Sequence, residues 1–391
     1  MTQVISQNTS QTWLIAPDSF KGSISAVSFC QQVRAVRDQL QLPVDLIERP
    51  MSDGGEGFVE AFLHAGLAEK IELEAQDPLG RPVKVIYGWQ ASTRTAFVEM
   101  AQASGLPRLT PGERDPMSAS SYGTGQVLAH AINKGASSIV LGLGGSATND
   151  GGLGALRALG FEFKDGLGQI ITSPAHLVNL AEVRFLPGLV KTVSELQSLD
   201  WLLACDVTNP LLGNNGATAV FGPQKGVTPE TAGSLEAGLT RFAEVLNDTF
   251  GQEITHLAGA GAAGGMAGGF VGTLYARLVP GFDLLAERLE LTSCLASKPI
   301  CGVITGEGKL DAQSLQGKLP VAMAKLATDH QVPTYALCGR LEDTEVLMHY
   351  FYRLHSINDE TTKGEPEALA MQQAPHRLKQ RLSQFWPQWL G

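Results

Sequence analysis

Short apolar runs alternate with helical stretches at both ends of this chain, and a different rhythm separates them. At the start, "WLIAP" (13–17) reads as a strand. "ISAVSFCQQVRAVRDQL" places Ile24, Val27, Val33 and Val36 at helical spacing. "VDLIERP" is a second strand, and "GEGFVEAFLHAG" a second helix closing at Gly66. The pattern returns late, with strand and loop "ICGVITGEG", helix "LPVAMAKLATDH", strands "PTYALCGR" and "YFYRLHSIN", and a closing helix "EALAMQQAPHRLKQRLSQFW". Between them "KIELEAQ", "VKVIYGW" and "TAFVEM" alternate with period two, separated by turn residues such as "DPLGRP", as antiparallel strands do. Two termini that share one architecture around a different middle imply an α/β chain. One doubly wound domain is built from 1–66 and 281–391, and a second α/β domain, with a mixed sheet, is inserted over 67–280.

The length of 391 residues supports two domains, because single cores rarely grow past about 250–300 residues. A net charge of −10 excludes a general nucleic-acid binder, which needs a basic field. A small anionic ligand stays admissible, since lysines and amide donors can reverse the sign locally. The five cysteines (Cys30, Cys205, Cys294, Cys301, Cys338) form no CxxC pair, and the histidines no HExxH or HxxxH pattern. Zinc and disulfide frameworks are therefore not expected, and a cytoplasmic location is. The polar "MTQVISQNTSQT" has neither basic start nor apolar core and reads as a lead-in, not a signal peptide. Leu257 to Ala276 carries no charge, yet its seven glycines do not suit a spanning helix. A buried glycine-rich turn and helix start is expected there, and no membrane association.

Ligands of open parallel sheets bind beyond the carboxyl ends of the strands. The polar clusters of this chain follow strands. "PDSFKGS" places Asp18, Ser19 and Lys21 after the first strand, and "PMSDGGEG" places Asp53, Gly54, Gly55 and Glu56 after the second. "ACDVTNPLLG" puts Asp206 and Asn209 after "WLLACD", and "FGPQKG" supplies Lys225. "TGEGKLDAQSLQGK" brings Glu307, Lys309, Asp311, Ser314 and Lys318 after the strand "CGVI". A single carboxylate of this kind is usually a cap or a surface charge. Several such clusters at strand ends point to a site.

The stretch "GLGGSATNDGG" (142–152) lies between strand "SSIVL" and helix "LGALRALG". Three readings fit it. Gly142-x-Gly144-x-x-Ala147 meets a loose dinucleotide fingerprint. Gly144, Gly145, Ser146 and Thr148 could instead form a phosphate nest of free N–H and hydroxyl groups at a helix start. Asn149 and Asp150 could simply cap the helix. There is no Walker A sequence and no protein-kinase signature. Lysines, carboxylates and glycine loops nevertheless suit phosphoryl transfer on another scaffold.

Together "APDSFKGS", "PMSDGGEG", "GLGGSATNDGG", "ACDVTNPLLG", "AVFGPQKG" and "ITGEGKLDAQSLQGK" resemble the type-1 glycerate kinases, from about residue 12 to residue 340. The resemblance implies ATP-dependent phosphorylation of D-glycerate, mainly to 2-phosphoglycerate. It also implies a discontinuous Rossmann-like domain with an unlike α/β domain inserted and the active site in the cleft. The tail "DETTKGEPEALAMQQAP" is more polar than the resemblance leads one to expect.

On that reading Asp206 accepts the proton of the substrate hydroxyl, with Asp53 and Asp150 as competitors. Lys21 and Lys225 face the glycerate carboxylate or the transferred phosphate. The loops around Gly54, Gly55 and Glu56, and around Gly144, Gly145, Ser146, Asn149 and Asp150, cradle phosphates. Asp18, Ser19, Asn209 and Lys318 join the binding set, and Glu307 and Asp311 hold Mg²⁺ or position the nucleotide. The expected partners are D-glycerate and ATP, and a homodimer is compatible with the sequence. Two rivals are a sensor of organic acids or nucleotides without turnover, and an NAD-linked hydroxy-acid dehydrogenase. The second lacks the acid about twenty residues beyond the fingerprint that would bind a ribose; Asp165 is the nearest and sits in a turn.

Overall fold

The computed structural model describes residues 11–188, 190, 192–297, 299–358, 362 and 365–390. The lead-in over 1–10 and most of the polar segment 359–364 lie outside them. The chain divides into two compact units, Met1–Ser52 with Leu285–Gly391, and Asp53–Leu284.

The first unit opens with β1 (Gln11–Ile15) and β2 (Val44–Glu48). The second holds β3 (Glu69–Gln76), β4 (Pro82–Gln90), β5 (Thr95–Glu99), β6 (Ser138–Gly142), β7 (Phe161–Asp165), β8 (Leu180–Phe185), β9 (Asp200–Ala204) and β10 (Arg277–Val279). The chain then completes the first unit with β11 (Ile300–Leu310), β12 (Thr334–Leu341) and β13 (Arg353–Ser356).

In the first unit the strands run in the order β13-β12-β11-β1-β2, and every neighbouring pair is parallel. Such a sheet is covered on both faces, which is why Trp13, Leu14, Ile15, Val303 and Ile304 are all buried. Helix Ala26–Leu40 starts at Ser25, whose hydroxyl accepts from Ser28 N, and buries Phe29, Cys30, Val33 and Val36. Helix Glu367–Trp389 buries Ala374, Leu378, Leu382 and Trp386, four positions at helical spacing, in the same core. Helix Leu319–Asp329 buries Val321 and Ala324 beside Ala336 and Cys338 of β12. The strand order reverses between β1 and β11, and a doubly wound sheet offers its crevice at that point. Thr305 Oγ1 donates to Ala16 O at 2.8 Å and Asp18 N to Gly306 O at 2.8 Å, so the end of β1 is tied to β11 there.

In the second unit the order is β10-β9-β6-β5-β4-β3. The pairs β10/β9, β9/β6 and β6/β5 are parallel, and β5/β4 and β4/β3 antiparallel, the mixed sheet expected. The carboxyl ends of β5, β6, β9 and β10 therefore share one edge, which carries Glu99, Gly142, Ala204 and Val279. A separate antiparallel hairpin joins β7 to β8.

The chain passes between the units at Ser52/Asp53 and Leu284/Leu285, whereas the sequence reading put the junctions at 66/67 and 280/281. Helix Phe58–His64 follows a strand of the first sheet but belongs to the second unit. Phe62 stacks on Phe97 of β5 with ring centroids 3.8 Å apart, and that long-range contact decides where the helix belongs. The second passage falls within helix Gly281–Arg288. The glycine-rich segment is interior from Gly259 to Leu274, with Ala258 and Tyr275 exposed on either side: helix Met266–Leu274 buries all but one of its residues, and no helix among the described residues is long and apolar enough to cross a membrane.

Candidate active site

In the first unit, Asp18 is buried just past β1 and accepts from Ser19 N at 2.6 Å, while Lys21 is exposed in the following turn. The sequence reading placed Glu307 in a loop beyond a strand ending near residue 304. β11 instead runs on to Leu310, with Glu307 opposite Cys338 and Lys309 opposite Arg340. Its glycines allow this, because a β-carbon on Gly306 would stand 2.1 Å from Leu337 O.

Glu307 and Asp311 are both 7% exposed, and a lysine stands between them. Lys318 Nζ is 3.5 Å from Glu307 Oε1 and 3.7 Å from Asp311 Oδ1. Lys309 Nζ takes the other Asp311 oxygen at 3.1 Å and Glu342 at 2.9 Å. Asp311 also caps the turn Ala312–Gln316 by accepting from Ser314 N. Burial pushes the Glu307 carboxyl up to about 7, against the opposing pull of Lys318. The Lys309 hydrogen bond holds Asp311 below the usual carboxylate range. This donor set does not fit a Mg²⁺ ion as arranged. An ammonium fills the place a divalent cation would take.

In the second unit, the Asp53–Gly57 turn and the 142–152 loop are packed backbone against backbone. Gly144 N donates to Gly54 O at 3.0 Å. A β-carbon on Gly144 would stand 2.4 Å from the Gly55 Cα, one on Gly142 2.5 Å from Gly54 O, and one on Gly54 3.0 Å from the Ala204 Cβ. These glycines thus allow two loops to touch at the carboxyl ends of β6 and β9. Asp53 is exposed and its Oδ1 accepts from Gly55 N at 3.1 Å; Glu56 is exposed as well. Gly145 and the Gly151-Gly152 pair adopt positive φ, which glycine permits without strain.

Ser146, Asn149, Asp150 and Lys225 are buried. Lys225, at the end of the turn Pro223–Lys225, donates to Ser146 Oγ at 2.8 Å and Thr148 O at 2.7 Å. Loss of water pushes its ammonium down to about 7, with Asp150 acting the other way. Lys225 therefore holds the loop from inside, whereas the sequence alone suggests a lysine facing the glycerate carboxylate or the transferred phosphate. Asp150 accepts from Ser121 Oγ at 2.7 Å, Ser121 N at 3.0 Å, Gly154 N at 3.1 Å and Gly152 N at 3.0 Å. So many donors make it a cap and a cross-link to Ser121, not a proton acceptor. Asn149 Nδ2 donates to Thr218 Oγ1 at 3.1 Å, and Asn209 Nδ2 to Asn215 O at 2.8 Å. The helix after the loop starts only at Leu153. A dinucleotide fingerprint opens its helix at the motif itself, so that reading falls.

Asp206 lies two residues past β9. Its Oδ1 accepts from Gly281 N at 2.6 Å, and a β-carbon on Gly281 would stand 2.6 Å from Oδ2. The side chain is solvent-exposed by area, yet the crowding around it raises its carboxyl above the ordinary range. The Gly281 hydrogen bond opposes that rise, and Asp53 and Asp283 add to it. A carboxylate with one open oxygen and a raised proton affinity can act as a base.

Two residues of this unit escaped the sequence reading. Gly281 had no motif around it. Glu99 is 4% exposed at the end of β5, where Oε2 accepts from Val59 N at 3.4 Å. Its signal was a lone acid closing the apolar strand "TAFVE".

A family model described as "Glycerate kinase family" matches residues 13–389. A glycerate kinase from Haemophilus influenzae is 38% identical over 376 residues, which cover 94% of this chain and 98% of the relative. The glycerate 2-kinase of Escherichia coli is 37% identical, covering 86% of this chain and 87% of its own. A crystal structure from Salmonella typhimurium LT2, assigned as a glycerate kinase 2, superposes with a TM-score of 0.82 at 36% identity. That match covers 96% of this chain and 97% of the other.

Proposed function

The chain belongs to the glycerate kinase family, and from that premise we propose that it transfers the γ-phosphoryl group of ATP to the 2-hydroxyl of D-glycerate, giving 2-phosphoglycerate and ADP. The observation that carries the chemistry is Asp206. A raised carboxyl beyond the end of a parallel strand, oriented by Gly281 N, is suited to take the hydroxyl proton as the phosphoryl group arrives. Asp53 acts on the same carboxyl electrostatically and helps set its proton affinity.

Phosphoryl transfer asks for positioning and charge neutralisation more than for covalent chemistry. The Asp53–Gly57 turn and the 142–152 loop supply backbone amides, with Lys225 fixing the second loop through Ser146 and Thr148. In the first unit, Asp18, Ser19 and Lys21 lie at the end of β1, beside the reversal of strand order where doubly wound sheets take their ligands. Lys21 is the cation assigned to an anionic substrate group, and Lys318 the one assigned to the nucleotide. Mg²⁺ enters this reading only as the ordinary companion of ATP phosphates. Five free cysteines fit a reducing cytoplasm.

Phosphorus NMR of the product tests the proposal. Phosphate on the 2-hydroxyl couples to one carbon-bound proton and gives a doublet, whereas phosphate on the 3-hydroxyl couples to two and gives a triplet. A doublet that grows with ADP is expected. A triplet overturns the regiochemistry, and no phosphoester at all overturns the reading.

A further inference from the structure

We infer that Glu99 is the positioning residue of the Asp53–Gly57 turn, capping helix Phe58–His64 from the neighbouring strand and so fixing the turn that leads into it. The helix begins at Gly57, which has positive φ and provides no side-chain cap. Its first amides need acceptors from elsewhere. Glu99 Oε2 accepts from Val59 N at 3.4 Å, and the Phe58 amide also acts on this carboxyl.

The same face of β5 grips the helix a second time. Residues 97 and 99 lie on one face of the strand, and Phe97 stacks on Phe62. One contact is apolar and sits a turn along the helix; the other is polar and sits at its start. Together they fix both the position and the rotation of the element. Glu99 is also paired across the ladder with Gly142, and a β-carbon on Gly142 would meet Gly54 O at 2.5 Å and Phe58 Cγ at 3.1 Å. The carboxyl thus stands where β5, the 142–152 loop and the Asp53–Gly57 turn converge.

The protonation state matters to this hold. Burial pushes the Glu99 carboxyl up to about 7, and the charged groups acting on it, Glu60 of the helix and Glu56 of the turn, both push the same way. The closed arrangement therefore favours the neutral acid, which can still accept from Val59 N through its carbonyl oxygen. Ionisation favours an arrangement in which the carboxylate meets water, so the turn loosens as pH rises from 4.5 to about 7.

The inference rests on the kinase reading only for its catalytic consequence, and two measurements separate them. The first is amide hydrogen exchange over residues 54–60, corrected for intrinsic rates. Glu99→Gln, which keeps an acceptor and cannot ionise, is expected to come within a few-fold of the wild type at pH 5 and to be protected more than tenfold better at pH 8. Glu99→Ala is expected to exchange at least tenfold faster than wild type at pH 5. Wild-type exchange in Glu99→Ala overturns the positioning role, whatever reaction the protein catalyses.

The second measurement is KM and kcat for glycerate and ATP. Glu99→Ala should raise KM about tenfold at both pH values, and Glu99→Gln should hold a low KM at pH 8. Equal kinetic loss in Glu99→Gln and Glu99→Ala with normal exchange would instead make Glu99 a group that touches substrate, and that result also overturns the inference. Absence of glycerate phosphorylation by the wild type defeats the kinase reading and leaves the exchange result standing as the judge of Glu99.

Discussion

Lys225 Nζ lies 2.8 Å from Ser146 Oγ, and both side chains are buried, so a lysine that no solvent reaches holds the glycine-rich loop of the second unit. Lysine burial at this level is uncommon unless the ammonium is paired, and here the partners are one hydroxyl and one carbonyl. The arrangement sacrifices stability for a fixed loop.

Replacing Lys225 tests both halves of that statement. Its folded pKa of about 7 lies below the ordinary lysine value, so the penalty is fully present below pH 7 and is relieved as pH rises from 7 towards 10.5. Wild-type stability should therefore climb over that window, while Lys225→Met should show no such rise. Urea denaturation at pH 7 and pH 9.5 measures the difference. Removal of charge-assisted hydrogen bonds worth roughly 1.5–3 kcal/mol should also lower kcat/KM from about tenfold to more than a hundredfold. A Met variant with normal kinetics would show that the loop holds its shape without the lysine.

The glycines of the same loop should separate by mechanism. At Gly144 the added β-carbon meets the Gly55 backbone at 2.4 Å, which cannot move as a side-chain tip can. Overpacking of this kind costs about 1–3 kcal/mol or more. At Gly145 the nearest atom is the Ala101 Cβ at 3.2 Å, and the cost comes from φ of +72°, about 1–2 kcal/mol. Calorimetry should find the thermal midpoint of Gly144→Ala below that of Gly145→Ala. The reverse order would mean that the two loops are not in contact as described.

Glu307 supplies a prediction of opposite sign to Lys225. Its folded value of about 7 exceeds the ordinary 4.5, so the folded protein binds the extra proton and loses stability as pH rises from 4.5 to 7. The shift corresponds to on the order of 3 kcal/mol. Glu307→Gln should flatten that slope, as read from denaturation curves at pH 5 and pH 7. With Lys318 between the two carboxylates, titration calorimetry with Mg²⁺ alone should show no millimolar site that Glu307→Gln removes. Loss of a Mg²⁺ signal in the variant would reinstate the pair as metal ligands.

The strand and helix rhythm was legible because it is local: apolar runs of four to eight residues between turn residues specify strands wherever they sit. What was not legible depends on distant partners. "GEGKL" looks like a loop, and it is strand because β12 pairs with it; a β-carbon on Gly339 would stand 2.6 Å from Gly308 O. "FVEAFLH" looks like part of the first unit, and Phe97, far along the chain, draws it into the second. Lysine and aspartate in motifs suggest exposed chemistry. Lys225 and Asp150 are buried because Ser146, Thr148 and Ser121 provide their partners. Gly281 carried no local signal, since its need for a bare α-carbon comes from Asp206, seventy-five residues earlier.

That last contact yields the sharpest test of the chemistry. Asp206→Asn keeps a carbonyl oxygen for Gly281 N and removes the base. The carboxyl is raised in the folded protein, so its ionised form is the disfavoured one, and the amide should fold at least as stably at pH 7. General-base catalysis contributes about 10²–10⁴-fold, so kcat should fall by that factor with KM nearly unchanged. The wild-type rate should decline as pH falls through the raised value, and the residual rate of Asp206→Asn should be flat over the same range. Gly281→Ala offers the complementary case, because its β-carbon at 2.6 Å must displace Oδ2 while leaving the carboxylate in the protein. It should lose kcat as well and keep the pH dependence. Steady-state kinetics from pH 5 to pH 9 on the three proteins decides the assignment, and an Asp206→Asn enzyme within threefold of wild type would transfer the role of base to Asp53.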